Sequence, residues 1–117
     1  MSSQHAAALI AQLAAVLSRE GMSGSYVRAG ADEATGVPVR FLLRHPGVRD
    51  DAIVNAYGVG AQIVTLAHAP MFAAMPPGKF DSLLQASGAR LVFDSAVPRA
   101  LGDVVVAWTA YCRGAGE

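Results

Sequence analysis

A chain of 117 residues has the length of one domain and can bury roughly two thirds of the surface its unfolded form exposes, so neither disulfide nor metal is needed for a core. Nine basic and nine acidic residues cancel, which argues against charge-driven capture by nucleic acid or a membrane surface. The single Cys112 excludes an internal disulfide and suits a reducing compartment.

Apolar residues make up 53% of the chain and charged residues 15%, against usual values of about 45–50% and about 25%. Either some apolar surface is covered by another chain, or alanine inflates the count. Eight of the nine basic residues are Arg, the ninth being Lys79. That bias suits hydrogen-bonded interface contacts, and a GC-rich genome produces it as well.

In chain order, Ser2 or Ser3 caps a helix whose apolar positions Leu9, Ile10, Leu13, Val16 and Leu17 recur at helical spacing. Arg19 in the last turn and Gly21 beyond it are stop signals. The opposite side carries Ala8, Gln12, Ala15 and Arg19, so the helix suits a barrel end or a neighbouring subunit. The apolar stretch Ala6 to Leu17 spans about 18 Å as helix, against a hydrocarbon core of about 30 Å. No Lys or Arg precedes it, and a soluble, intracellular chain is expected.

From Ser25 the period changes. Ser25 to Ala29 and Val37 to Arg44 alternate like strands across the connection Gly30 to Gly36. Val39, Phe41 and Leu43 share one face of the second run; Arg40, Leu42 and Arg44 share the other, turned to water or a partner. Pro38 suggests that this strand starts at an edge. His45-Pro46-Gly47 ends the hairpin, and Val48 to Gly60 reads as a long exposed loop of the kind that carries function. Ala61 to Ala67 returns to strand, and Pro70 breaks it. Met71-Phe72-Ala73-Ala74-Met75 is a further apolar piece whose Met71, Phe72 and Met75 serve either the core or an adaptable interface. Three apolar runs close the chain: Gly78 to Leu84, Ala89 to Phe93 and, after a Pro-containing loop, Asp103 to Tyr111. The fold expected is mainly β: a small antiparallel β-barrel of about six strands (residues 22–117) preceded by one N-terminal α-helix (1–21), a single domain overall.

Motifs for chemistry fail one by one. Gly58-Val59-Gly60-Ala61-Gln62-Ile63 has Ile63 where a dinucleotide fingerprint needs Gly or Ala, and it leads into a strand. Gly78-Lys79-Phe80 lacks the hydroxyl of a phosphate-binding loop and reads as a turn. His5, His45 and His68 lie on three different elements without metal-ligand spacing. Adjacent Asp50 and Asp51 point apart if extended, and Cys112 at the end of an apolar strand reads as a structural thiol. No catalytic residue, cofactor site or metal site is assigned, and the chain is not expected to be an enzyme.

Several stretches match a known pattern: Val37-Pro38-Val39-Arg40-Phe41-Leu42-Leu43-Arg44-His45-Pro46, then Pro77-Gly78 before a strand, Ala89-Arg90-Leu91-Val92-Phe93-Asp94-Ser95-Ala96-Val97-Pro98, and Gly102-Asp103-Val104-Val105-Val106. In this order the chain, roughly from Tyr26 to Arg113, resembles the tail-attachment (head-tail joining) proteins of lambda-like long-tailed phages and their prophages. Lys79 stands where that family often has Asp.

The resemblance implies a structural virion protein, made in the host cytoplasm. It would be monomeric or weakly associating when free and would join a ring in the virion neck, between the portal-side head completion protein and the tail terminator. Neither sequence-specific nucleic acid binding nor a membrane is implied. A neutral chain fits a channel that DNA must leave, because phosphate contacts accumulate affinity. Partner contacts are assigned to Arg40 and Arg44, to Val48, Arg49, Asp50, Asp51 and Tyr57 of the long loop, and to Met71, Phe72 and Met75. The competing readings are a tail terminator or similar morphogenesis protein, and a small-ligand-binding or enzymatic barrel with Trp108 and Tyr111 near its mouth. The last requires a preformed pocket of roughly 300 Å³ or more with convergent polar groups.

Overall fold

Helix α1 (Ser3–Glu20) buries Ala6 and Leu17 and half-buries Leu9, Ile10, Leu13 and Val16, while Ala8, Gln12, Ala15 and Arg19 stay exposed. The computed structural model describes residues 3–45 and 61–113. Gly21 stops α1: its N–H donates to the Leu17 carbonyl at 2.9 Å. A Cβ there would lie 2.5 Å from that oxygen and 2.9 Å from the Phe41 carbonyl, so the approach requires glycine.

The chain then enters β1 (Met22–Val27) at once, three residues earlier than the alternation from Ser25 suggests, because Met22 already pairs with Phe41. A short 3₁₀ turn, Glu33–Thr35, capped by the Asp32 carboxylate, leads to β2 (Val37–Arg44), whose bounds match the expected ones. Strand β3 (Gln62–Ala67) is followed by a short helix, α2 (Pro70–Ala74), which begins on its proline. Strands β4 (Ser82–Gln85), β5 (Arg90–Leu101) and β6 (Val104–Cys112) complete the fold.

Among the described residues all pairings are antiparallel and six strands close into a barrel, as expected from the sequence; their order around it is β1-β2-β3-β6-β5-β4. Two strands change neighbours along their length and make the corners. The first part of β2 pairs with β1, and Leu42 to Arg44 pair with β3. The start of β5 pairs with β4 through Val92, and the rest pairs with β6 through a register shift between Phe93 and Ser95.

Two readings need correction. The Pro-containing loop is strand: β5 runs through Val97-Pro98-Arg99, with Pro98 opposite Trp108. Among the described residues, Ser95 to Leu101 have ladder partners only on β6, so a residue without an N–H is tolerated there. Pro38 does not mark a sheet edge in the ordinary sense, since β2 lies between β1 and β3. Yet Val37 to Phe41 pair only with β1, and the ladder to β3 starts at Leu42.

Side chains fill the interior. Tyr26, Phe41, Phe72, Leu83 and Phe93 are fully buried, with Tyr26 edge-on to Phe72 (5.1 Å between centroids) and to Phe93 (5.7 Å). Phe72 of α2 plugs this core and also meets Trp108. Val39 and Leu43 of β2 pack on the same cluster, as their shared face predicts.

Candidate interaction surface

Among the described residues, the turn before β4 carries a dense polar network. Asp81 is only 5% exposed. Its carboxylate accepts from the Tyr26 hydroxyl (2.6 Å), the Ala29 N–H (2.8 Å), the Gly78 N–H (3.1 Å) and Arg28 Nη1 (3.3 Å). Arg28 in turn donates to the carbonyls of Met71, Met75 and Pro76, and its guanidinium stands over the Tyr26 and Phe72 rings. Burial, with the Asp81 hydrogen bond and charge in support, pushes the Tyr26 hydroxyl far above its ordinary range. These hydrogen bonds lock the end of β1 to the exit of α2 and the entry of β4.

Next to this lock lies a strained exposed aromatic. Phe80 N–H donates to the Phe93 carbonyl, while Phe93 N–H donates to the Asp81 carbonyl, both at 2.8 Å, so two residues face one in a bulge. Phe80 holds φ at 73°, the left-handed region that glycine normally supplies at such a position. The cost is of order 1–2 kcal/mol, and little burial offsets it: the residue is 63% exposed, with Lys79 Nζ 5.2 Å from its ring centroid. Val92, also exposed, and Arg90, which is bridged to Glu33, line the same hollow. Sequence reading treated Lys79-Phe80 as a turn and missed this surface; an aromatic at a glycine's place in the turn was the available signal.

At the end of the barrel, α1 and α2 border two open apolar clefts that share His68 and Phe72 as a wall. One, about 330 Å³, lies between Ala14 and Leu17 of α1 and Val37, Val39, Leu66 and Met71. The other, about 460 Å³, runs from Phe72 and Pro76 past Trp108 and Ile10 to Asp103-Val104-Val105 at the β5–β6 turn. His68 Nδ1 accepts from Trp108 Nε1 at 3.1 Å, which uses one ring nitrogen within the fold.

The residues assigned to partner contacts separate sharply. Phe72 is core, 2% exposed, and the assignment to an interface is corrected: an aromatic at this point of α2 is what fills the barrel end. Met71 is half-buried against the same cluster, and Met75 is exposed. Arg40 lies on the outward face, but its guanidinium is spent inside the molecule. It donates to the carbonyls of Leu17 (3.1 Å), Ser18 (3.0 Å) and Gly21 (2.8 Å) and to Ser23 Oγ (2.5 Å), completing the C-terminus of α1. Arg44 is exposed at the end of β2. Val48, Arg49, Asp50, Asp51 and Tyr57 lie outside the described residues.

Among the described residues no group of three His, Cys, Asp or Glu side chains is placed to hold a metal. Cys112 is buried, and burial pushes its thiol up to about 12, which makes it a poor nucleophile at neutral pH. No described helix is long and apolar enough to cross a membrane. No protein-family model matches the chain, and neither curated proteins nor solved structures give a match.

Proposed function

We propose that this chain is a structural connector of a tailed-phage particle, a head-tail joining protein that enters a ring in the virion neck beside the portal-side head completion protein and the tail terminator. One observation carries the reading: the interior is filled by aromatic and aliphatic side chains, whereas Met22, Val37, Met75, Phe80, Val92 and Val97 remain exposed on the outside. Apolar side chains kept in water at several places suit a subunit with neighbours on more than one side. Zero formal net charge also suits a wall that DNA passes without being held. Electron microscopy or crosslinking of assembled particles tests it: the chain is expected in the neck, and its absence there defeats the proposal. A portal gene and a tail-tube gene beside the coding sequence are expected; a tail terminator with the same barrel would instead sit on the tail side of the joint.

A second reading is favoured by the 330 Å³ cleft, which reaches the size of a small-ligand site. Its polar lining is limited to Arg40, committed to α1, and His68, bonded to Trp108. Binding of apolar fluorescent probes that is lost on Ala14→Trp, a bulky replacement at an exposed lining position of α1, supports this reading; no binding at all counts against it.

A further inference from the structure

We propose that the chain self-associates head to tail, Phe80 of one copy seating in the Asp103-ended cleft of the next, with Lys79 of the first paired to Asp103 of the second. This deepens the connector reading, and the closure of such contacts into a ring rests on that reading. The pairwise contact stands on the structure alone.

The two halves of the contact are both present and both unfinished. Phe80 is a large apolar ring held outward by a backbone conformation that disfavours any side chain. A contact outside the chain supplies the burial that the fold withholds. The cleft offers a matching apolar surface: Ile10, Phe72, Pro76, Val105 and Trp108 line an open hollow of about 460 Å³.

Charge selects this cleft over its neighbour. Lys79 beside the knob and Asp103 at the rim of the hole are both exposed, and neither has an ion-pair partner among the described residues. The 330 Å³ cleft instead presents Arg40, which would repel Lys79.

A copy cannot satisfy itself at the Asp103 end. Phe80 is bonded to Phe93, and Asp103 lies beyond the far end of β5, ten residues along the strand. At about 3.3 Å per residue the strand between them has a contour of about 30 Å. Phe80 and Lys79 border the hollow with Arg90 and Val92 and contribute nothing to the lining of the Asp103-ended cleft, so knob and hole are different patches and the contact is heterologous. Each copy gives its knob to one neighbour and its hole to another, the arrangement that closes into a ring or runs on as a filament.

The test uses the full chain, followed by two-dimensional NMR and sedimentation equilibrium up to roughly 1 mM. Concentration-dependent shifts are expected at Lys79 and Phe80 and at residues of the Asp103-ended cleft. Lys79→Asp and Asp103→Lys should each weaken association about tenfold, and the two together, which restore an opposite-charge pair, should recover most of it. Phe80→Gly should abolish association while leaving the unfolding midpoint equal or higher, which separates loss of contact from loss of fold. Absence of concentration dependence in the unmodified chain, shifts confined to other surfaces, or failure of the double exchange to recover association overturns the contact. Association without a place in the phage neck keeps the contact and defeats the connector reading. A place in the neck with an indifferent Phe80 does the reverse.

Discussion

Tyr26 donates its hydroxyl to Asp81 Oδ2 at 2.6 Å, joining β1 to the turn before β4 across 55 residues of sequence. The same carboxylate meets Arg28 and two backbone N–H groups, so one buried acid fixes the end of β1, the exit of α2 and the entry of β4.

Asp81→Ala leaves Tyr26 and two amides without their acceptor, while Arg28 keeps three carbonyls, and should cost about 3 kcal/mol or more, since each buried donor left unsatisfied costs about 1–3 kcal/mol. Tyr26→Phe removes a single donor and should cost about 1–3 kcal/mol. Urea unfolding at neutral pH distinguishes the two; equal and small effects would show that the network contributes little.

Alkali should unfold the protein through two groups. Cys112 rises from 9.0 to about 12, and Tyr26 rises from 10.0 to well above its ordinary range. Both pKa values are higher in the folded state, so the unfolded chain loses its protons first. Stability is intact below pH 9 and falls above it, by about 1.4 kcal/mol per pH unit for each group within its window. Cys112→Ala should remove the part that begins near pH 9, and Tyr26→Phe the part that begins near pH 10. Unfolding midpoints between pH 7 and 11 provide the measurement.

Arg40→Ala strips four hydrogen bonds from the junction of α1 and β1. A loss of about 1–3 kcal/mol is expected, with faster amide exchange in the last turn of α1 than in β6. Lysine cannot reproduce the planar fork, so Arg40→Lys should recover only a fraction. Uniform acceleration of exchange across the barrel would contradict the local role.

Phe41→Ala should cost about 3–5 kcal/mol and Leu91→Ala about 2–5 kcal/mol, from lost transfer energy plus a cavity. Both side chains belong to the filled interior. Near-neutral unfolding free energies for the pair would show the inward face to be wrongly assigned.

Phe80→Gly relieves the left-handed strain and should stabilise the isolated chain by up to about 1 kcal/mol. Glycine's greater unfolded-state freedom takes back part of that gain. Thermal unfolding of the dilute protein is the appropriate measurement; a loss of more than 1 kcal/mol would mean that the exposed ring makes stabilising contacts within its own copy.

Much of the architecture was legible because it rests on local pattern. The alternation of Val39, Phe41 and Leu43 gave β2 its bounds, and the helical spacing of Leu9, Leu13, Val16 and Leu17 with Gly21 gave α1. Failures came where a distant neighbour decides. Pro98 looks like a break, yet it sits where β5 has a ladder partner on one side only. Arg40 looks like surface charge, but the carbonyls that occupy it come from the last turn of α1, more than twenty residues earlier. Asp81 was unremarkable inside a short apolar run, because its partners lie near residue 28 and no spacing rule connects them. Phe72 and Met75 look equivalent in sequence; the axis of α2 sends one into the barrel and leaves the other outside.

The seam between β1 and β4 carries a kinetic consequence. It joins Val27 to Ser82, whereas β5 and β6 meet across the tight turn at Gly102-Asp103. The entropy lost in drawing distant segments together grows with the chain between them. The C-terminal hairpin, and the β1–β2 pair joined across Gly30 to Gly36, therefore close at a smaller entropic cost than the seam between β1 and β4.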